Sequence, residues 1–173
     1  MGLSDISLKG EVVVFGSTYM SHFPLYELIN KSRLESAVYN RSIEGLTVAE
    51  ALEILDDCIL PMRPHKLFLV LGEEDEGDPD ALRYYRTIVS RIRTALPDCA
   101  LFLIALQGEG AYADAFNRQI VSLCDGKHVR WIRFVSPAVS EKALYRARFK
   151  QMSCFFRNRP PVMPEIFAMA ELS

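Results

Sequence analysis

Histidine and cysteine are scarce in this chain, and neither residue type is clustered. Three histidines occur among 173 residues, and the four cysteines lie far apart without a C-x-x-C pair. A zinc site needs clustered ligands, so the sequence predicts no metal centre and no bound cofactor. Because no apolar leader segment is visible, we expect a cytoplasmic protein with reduced thiols. Cys58 and Cys99 have apolar neighbours and are predicted to fill the core.

The sequence also lacks a strong charge excess and a long hydrophobic run. A net charge of −2 gives no electrostatic reason to expect a nucleic-acid partner. No apolar run approaches the roughly 20 residues that a membrane-spanning helix needs, so no membrane association is expected. Apolar residues nevertheless make up 50% of the chain, a composition typical of globular proteins.

Five short apolar runs are present, and each is followed by a segment with helical periodicity. The runs cover residues 11–15, 35–39, 66–71, 100–106 and 129–135, and the helical segments cover 24–31, 47–58, 80–96, 111–123 and 140–155. The first, third and fourth runs are apolar on both faces, as strands covered by helices on both sides require. The alternation predicts an α/β fold, a flavodoxin-like three-layer sandwich with a parallel five-stranded sheet of order 2-1-3-4-5.

The chain is predicted to form a single domain over residues 1–173. Its core covers about residues 11–155, and no internal repeat or linker interrupts it. A C-terminal extension at about 156–173 contains an Arg-Asn-Arg-Pro-Pro segment and a short apolar tail. We expect this tail to pack on the domain or to contact a partner, so a homo-oligomer formed through the tail stays open.

Ligands of such sheets bind beyond the carboxyl ends of the strands, where the strand order reverses. That point lies between the first and third strands, which directs attention to residues 16–22, 40–47 and 72–80. The acidic run in the last of these segments lacks the ligand spacing of a calcium loop. Acids before a helix favour its N-terminus, so this run is interpreted as structural or solvating.

Three segments at this point resemble the SGNH (GDSL-like) hydrolases. Residues 15–19 (FGSTY) stand where that family carries its Gly-Asp-Ser signature after the first strand. Residues 39–47 (YNRSIEGLT) resemble its Asn-x-Gly-x-x-Gly segment, and residues 64–75 (PHKLFLVLGEED) resemble the stretch leading into its Gly-x-Asn-Asp block. The resemblance runs over about residues 11–155 and implies descent from lipases and acylhydrolases that cleave acyl esters.

The resemblance implies a set of site residues, several of which depart from the family pattern. These residues are Gly16, Ser17, Thr18, Asn40, Ser42, Gly45, Glu74 and Asp75. The nucleophile position falls on Thr18, and a register shifted by one residue offers Ser17 instead. Ser42 stands for the glycine of the oxyanion hole, and Glu74 stands for its asparagine. A carboxylate cannot donate a hydrogen bond unless protonated, and it repels a developing oxyanion.

The family's catalytic base is missing from the sequence. The resemblance places an Asp-x-x-His segment after the fifth strand, but residues 136–142 read SPAVSEK and no histidine follows His128. Without a base, the hydroxyl forfeits on the order of 10²–10⁴-fold in rate. The family's mechanism therefore does not run here in its usual form.

Two functions stay open from the sequence. In the first, the chain is a pseudoenzyme that keeps the pocket for a small ester, an acylated ligand or a carbohydrate, or serves as an interaction module. In the second, it is a divergent acyl-ester hydrolase with a rebuilt site. That site would use Ser17 or Thr18 together with His22 or a carboxylate, because His22 lies close in sequence on the correct edge of the sheet.

Overall fold

A parallel sheet of five strands forms the middle layer of the fold. The computed structural model describes residues 11–32, 34, 36–134 and 139–156. Its strands are β1 (Val12–Gly16), β2 (Val38–Asn40), β3 (Lys66–Val70), β4 (Ala100–Ile104) and β5 (Val129–Ile132). They follow the order β2-β1-β3-β4-β5, and all neighbouring pairs are parallel. The predicted strand order is confirmed.

Helices cover both faces of this sheet. They are α1 (Thr18–His22), α2 (Leu25–Ser32), α3 (Val48–Ile54), α4 (Ala81–Ala95), α5 (Ala111–Val121) and α6 (Glu141–Ser153). Helix α3 continues into a π-helical turn, Leu55–Ile59, and a 3₁₀ turn, Leu60–Met62. None of the described helices combines the length and apolarity that crossing a membrane requires.

Each face of the sheet has an apolar core of its own, because successive strand residues point to opposite sides. Val13 and Leu67 are buried with residues of α3, α4 and α5 on one face. Val14, Phe68 and Phe102 are buried with residues of α1, α2 and α6 on the other face. The rings of Phe68 and Phe102 stack with centroids 4.5 Å apart. Because helices cover both faces of the sheet, the central strands consist of continuous apolar runs.

The structure corrects two expectations about local structure. Helix α1 was not predicted, because its five residues directly follow β1 and are too few to show a helical period. Cys99 is buried as expected, but Cys58 is exposed. Leu55 and Ile59 of the π-helical turn face the core, and Cys58 lies on the opposite side of that turn.

The predicted C-terminal extension lies outside the described residues except for Phe156. That ring is 1% exposed and packs edge-on against Phe68 with centroids 5.2 Å apart. The Phe156 carbonyl accepts a hydrogen bond from Ser36 Oγ at 3.1 Å. The last described residue is therefore anchored at the end of the sheet where β2 begins.

Candidate functional site

Three chain segments meet beyond the carboxyl ends of β1, β2 and β3. Backbone hydrogen bonds tie them together, because Ile43 N–H donates to the Gly16 carbonyl at 3.1 Å and Ser17 N–H donates to the Val70 carbonyl at 3.2 Å. Gly16 leaves no space for a side chain, since a Cβ there would lie 2.9 Å from the Val70 oxygen. The three segments thus form a tightly packed junction at the point where the strand order reverses, and the predicted site residues surround it.

Thr18 forms hydrogen bonds to both of the other segments of this junction. Its Oγ1 donates a hydrogen bond to Glu74 Oε1 at 2.5 Å and accepts one from Gly45 N–H at 2.9 Å. These three residues come from three different loops, and Thr18 is partly exposed while Glu74 and Gly45 are exposed. The structure therefore brings the predicted nucleophile position beside a carboxylate and a backbone donor at the surface of the protein.

The backbone donor at Thr18 belongs to Gly45, where the sequence predicted Ser42. Ser42 N–H instead donates to Asn40 Oδ1 at 3.1 Å, and Asn40 Nδ2 donates to the Met20 carbonyl at 2.8 Å. Asn40 thus holds the loop against α1 and engages the Ser42 N–H. Gly45 has a φ of +76°, a left-handed conformation that glycine adopts without strain.

Ser17 does not offer its hydroxyl to a substrate. The residue is 0% exposed, and its Oγ has no hydrogen-bond partner among the described residues. Its backbone is also committed, because the Ser17 carbonyl accepts from Ser21 N–H at 3.0 Å within the first turn of α1. Of the two hydroxyl groups considered for the nucleophile, that of Ser17 is buried and that of Thr18 is partly exposed.

In the described part of the chain, His22 pairs with Glu44. It ends α1, and its exposed Nε2 lies 3.1 Å from Glu44 Oε1. Within the described part of the chain, the Thr18 hydroxyl is engaged by Glu74 and Gly45 instead. Of the rebuilt arrangements considered from the sequence, only the pairing of Thr18 with a carboxylate is present as a hydrogen bond.

The two acids that flank Glu74 have structural partners. Glu73 Oε1 accepts a hydrogen bond from Tyr19 N–H at 2.9 Å, and burial raises the pKa of the Glu73 carboxyl group. Both oxygens of buried Asp75 accept from Val48 N–H, at 3.1 and 3.2 Å, and burial likewise raises the Asp75 pKa. Over the described ranges, no three or more His, Cys, Asp or Glu side chains are grouped to hold a metal ion.

Arg148 of α6 was not predicted to belong to the site, and it contacts the junction through Tyr19. Arg148 is 7% exposed, its Nη1 donates to Tyr19 Oη at 2.7 Å, and its guanidinium lies 5.5 Å from the Tyr19 ring centroid. Burial raises the Tyr19 pKa, which keeps the phenol neutral. A signal was available, because Arg148 follows Leu144 and precedes Met152 by four residues each, on the apolar stripe of its helix.

The segment aligned with the missing base is described only in part. Residues 135–138 lie outside the described residues, and Ser140 accepts a hydrogen bond from Ala143 N–H at 3.4 Å as the N-cap of α6. The absence of a histidine from residues 136–142 is a property of the sequence itself.

Comparison with known proteins identifies the fold. No family model and no curated protein matches the sequence. A Streptococcus pneumonia protein described as a candidate platelet activating factor matches with a TM-score of 0.73 and 17% identity, over 86% of this chain and 85% of that one. A GDSL-like lipase from Bacteroides thetaiotaomicron matches with a TM-score of 0.61 and 12% identity, over 93% of this chain and 84% of that one.

A psychrotrophic esterase from Pseudoalteromonas sp. matches over still more of its length. Its TM-score is 0.61 at 15% identity, and the alignment covers 92% of this chain and 96% of the esterase. Identities this low establish the fold and leave the chemistry to be argued from the residues. The chain has the α/β fold of the SGNH hydrolases, as its three sequence segments predicted.

Proposed function

We propose that this chain is a pseudoenzyme of the SGNH hydrolase fold, which binds a small ligand at Thr18 and does not cleave esters by the serine–histidine route. The observation that carries the proposal is the pairing of the Thr18 hydroxyl with Glu74, at 2.5 Å. This pairing places an acceptor where ester hydrolysis needs a donor.

Glu74 and Gly45 both work against hydrolysis. Loss of one oxyanion donor costs about 2.7–4 kcal/mol of transition-state stabilisation, and a negative charge in its place adds repulsion. The Gly45 N–H is already bound by the Thr18 hydroxyl. A carboxylate is also a poor general base for an alcohol, since its ordinary pKa lies far below that of a hydroxyl group.

The same groups favour a ligand that donates hydrogen bonds. Glu74 and Glu44 are exposed carboxylates at the rim of the site, and ionised carboxylates only accept hydrogen bonds. A neutral ligand with hydroxyl groups, such as an acylated carbohydrate, satisfies these acceptors, whereas a carboxylate or phosphate ligand is repelled. The lipase and esterase names of two structural relatives support an ester group within such a ligand.

A divergent acyl-ester hydrolase is the second candidate, and the same short contact favours it. In this reaction Glu74 takes the proton of the Thr18 hydroxyl while Oγ1 attacks the ester carbonyl. The tetrahedral intermediate then collapses, and the alkoxide leaves as an alcohol with the proton that Glu74 returns. Glu74 next takes a proton from water, which attacks the acyl-threonine, and the acid is released as the proton goes back to Thr18 Oγ1. The extra methyl group of threonine restricts χ1 and crowds this attack, which is why the binding function is preferred.

Turnover of p-nitrophenyl acetate and p-nitrophenyl butyrate separates the two candidates. We compare the wild type with Thr18→Val and Glu74→Gln, and use Thr87→Val as the control because Thr87 is an exposed threonine of α4. The proposal expects the same background rate from all four proteins. A rate that Thr18→Val and Glu74→Gln abolish, and Thr87→Val keeps, establishes the hydrolase and refutes the proposal.

Binding is tested by following backbone amide resonances during titration with xylose monoacetate, with sodium acetate as the anionic comparison. The proposal expects shifts at Thr18 and Gly45 with the sugar ester and none with acetate. Glu74→Gln weakens the response because a neutral amide is a poorer acceptor than a carboxylate. Equal responses to the sugar ester and to acetate, or no response at this site, contradict the proposed ligand class.

A further inference from the structure

A groove between α2 and α6 lies outside the candidate site. Its volume is about 460 Å³. Pro24, Leu28 and Tyr145 form its apolar surface, and Lys31, Lys142 and Arg146 carry positive charge at its walls. Its size is that of a binding groove and exceeds a packing defect.

The charge of this groove is positive on balance. Of its two acids, Glu27 is paired with Lys31 at 2.7 Å, and that lysine holds the Glu27 pKa below its usual range. The other acid, Glu141, lies in the first turn of α6, where the helix dipole favours a negative charge. Lys142 and Arg146 are both exposed. The groove therefore combines an apolar floor with cations suited to an acidic and apolar segment.

The end of the chain has this composition. Residues 157–173 lie outside the described residues, and from position 162 onward the sequence reads VMPEIFAMAELS. This stretch contains six large apolar residues, two glutamates and no lysine or arginine. Removing such apolar side chains from water is favourable at about 25 cal/mol per Å², and Glu165 and Glu171 match the cations of the groove.

The connection is long enough for this segment to reach the groove. Arg146 lies ten residues before Phe156, which corresponds to roughly 15 Å along a helix. The six residues from Phe156 to Val162 span about 20 Å when extended. A segment that leaves Phe156 can therefore run back along α6 and enter the groove at Arg146.

We propose that residues 162–173 dock in the α2–α6 groove of the same molecule, with Glu165 and Glu171 facing Lys142 and Arg146. The docked segment covers Tyr145, whose ring packs against Tyr19 with centroids 6.2 Å apart and against Phe23 with centroids 5.2 Å apart. Because Tyr19 follows Thr18 directly, the segment would also brace the helix that carries the candidate site.

Photo-crosslinking of the full-length chain tests this docking. p-Benzoylphenylalanine replaces Phe167, and mass spectrometry identifies the crosslinked peptides. We expect crosslinks to residues 24–31 and 141–146 in a product that migrates as a monomer. Crosslinks only to other surfaces, or only in a product of dimer size, overturn the proposal, and the dimer outcome assigns the segment to a second copy instead.

Charge reversal separates specific docking from nonspecific apolar contact. Lys142→Glu with Arg146→Glu should lower the crosslink yield several-fold. The control, Lys127→Glu with Lys150→Glu, makes the same charge change at exposed lysines outside the groove and should leave the yield unchanged. Adding Glu165→Lys and Glu171→Lys to the groove variant should restore the yield. Equal loss in the groove variant and the control, or failure of the restoration, refutes the proposed pairing.

Discussion

Gly72 sets the course of the loop that presents Glu73, Glu74 and Asp75. Its φ is +115°, and a Cβ at this position would lie 2.6 Å from the ring of Phe116. Its carbonyl accepts a hydrogen bond from Tyr112 Oη at 2.5 Å. Helix α5 thus packs directly on the start of the loop, and only a glycine permits both the backbone conformation and the close approach.

Gly72→Ala should lower the free energy of unfolding by about 3 kcal/mol, because it combines overpacking with left-handed strain. Gly77→Ala is the matched control, since Gly77 has a φ of +92° and open space around its Cβ position. The control should lose only the conformational part, about 1–2 kcal/mol. Urea unfolding measures both values. Equal losses would show that the contact with Phe116 contributes nothing.

The sequence predicts which residues of the candidate site lie close together, because it predicts where the strands end. Thr18 and Glu74 each follow a continuous apolar run, and parallel strands end at a common edge, so their proximity follows from the fold. The choice of Gly45 over Ser42 as donor does not follow, because it depends on the left-handed turn at Gly45 and on the hydrogen bond between Asn40 and Ser42. Loop geometry of this kind has no periodic signal in a sequence.

The first turn of α3 is the element that joins the second and third loops of the site. Thr47 Oγ1 accepts from Glu50 N–H at 3.2 Å, and Glu50 Oε1 accepts from Thr47 N–H at 3.2 Å, which completes a capping box. Val48 N–H, another donor without a partner inside the helix, donates to Asp75. The hydrogen bond from Val48 to Asp75 thereby fastens the β3 loop to the start of α3. Glu74 directly precedes Asp75 and is held next to Thr18.

Asp75→Ala should cost about 1–3 kcal/mol of stability, because it leaves the buried Val48 N–H without an acceptor. Asp75→Asn keeps one acceptor oxygen and should cost less than half as much. Asp57→Ala, at an exposed acid of the π-helical turn, should change stability by less than about 0.5 kcal/mol. Thermal or urea unfolding distinguishes these variants, and similar losses for Asp75→Ala and Asp75→Asn would contradict the assigned role of the hydrogen bond.

Strands and helices with an apolar pattern of their own were predictable, whereas helix α1 and the π-helical turn were not. Thr47 and Glu50 stand three residues apart at the start of an apolar segment, which is the sequence signature of a capping box, and the capping box is present. The end of the same helix was not predictable, because a π-helical turn at residues 55–59 keeps Leu55 and Ile59 on the buried side and preserves an apparent helical pattern. Helix α1 escaped prediction for the opposite reason, since five residues are too few to define a period.

At the scale of the whole molecule, the fold supports the junction without requiring catalytic residues. The two apolar cores and the parallel sheet bring β1, β2 and β3 to one edge whatever side chains follow them. An exposed acid at position 74 is therefore compatible with folding, whereas Gly16 is required by the close contact with the Val70 carbonyl. The packing of this junction therefore depends on Gly16 and on the two cores, and the exposed side chain of Glu74 adds little to it.

Stability of the whole molecule should depend on pH through two opposing groups of acids. Burial raises the pKa values of Glu73 and Asp75, so the folded state binds their protons more tightly than the unfolded state does. Hydrogen bonds from Val129, Lys127 and other backbone N–H groups hold the Asp125 pKa far below its usual range. Protonation of Glu73 and Asp75 therefore favours the folded state as the pH falls toward 4. The ionised carboxylate of Asp125 adds stability that is lost as the pH falls below about 4.

The free energy of unfolding should therefore stay level or rise between pH 7 and about pH 5, and fall below about pH 4. A Glu73→Gln, Asp75→Asn variant should lose the contribution that rises on acidification, because neither amide titrates, while both can still accept the hydrogen bonds of Tyr19 and Val48. Asp57→Asn with Glu109→Gln removes two exposed acids as the control and should keep the wild-type profile. Urea unfolding at half-unit pH steps measures the three profiles. If the stability of the Glu73→Gln, Asp75→Asn variant follows that of the wild type between pH 7 and pH 5, the protonation of these two acids is not coupled to folding.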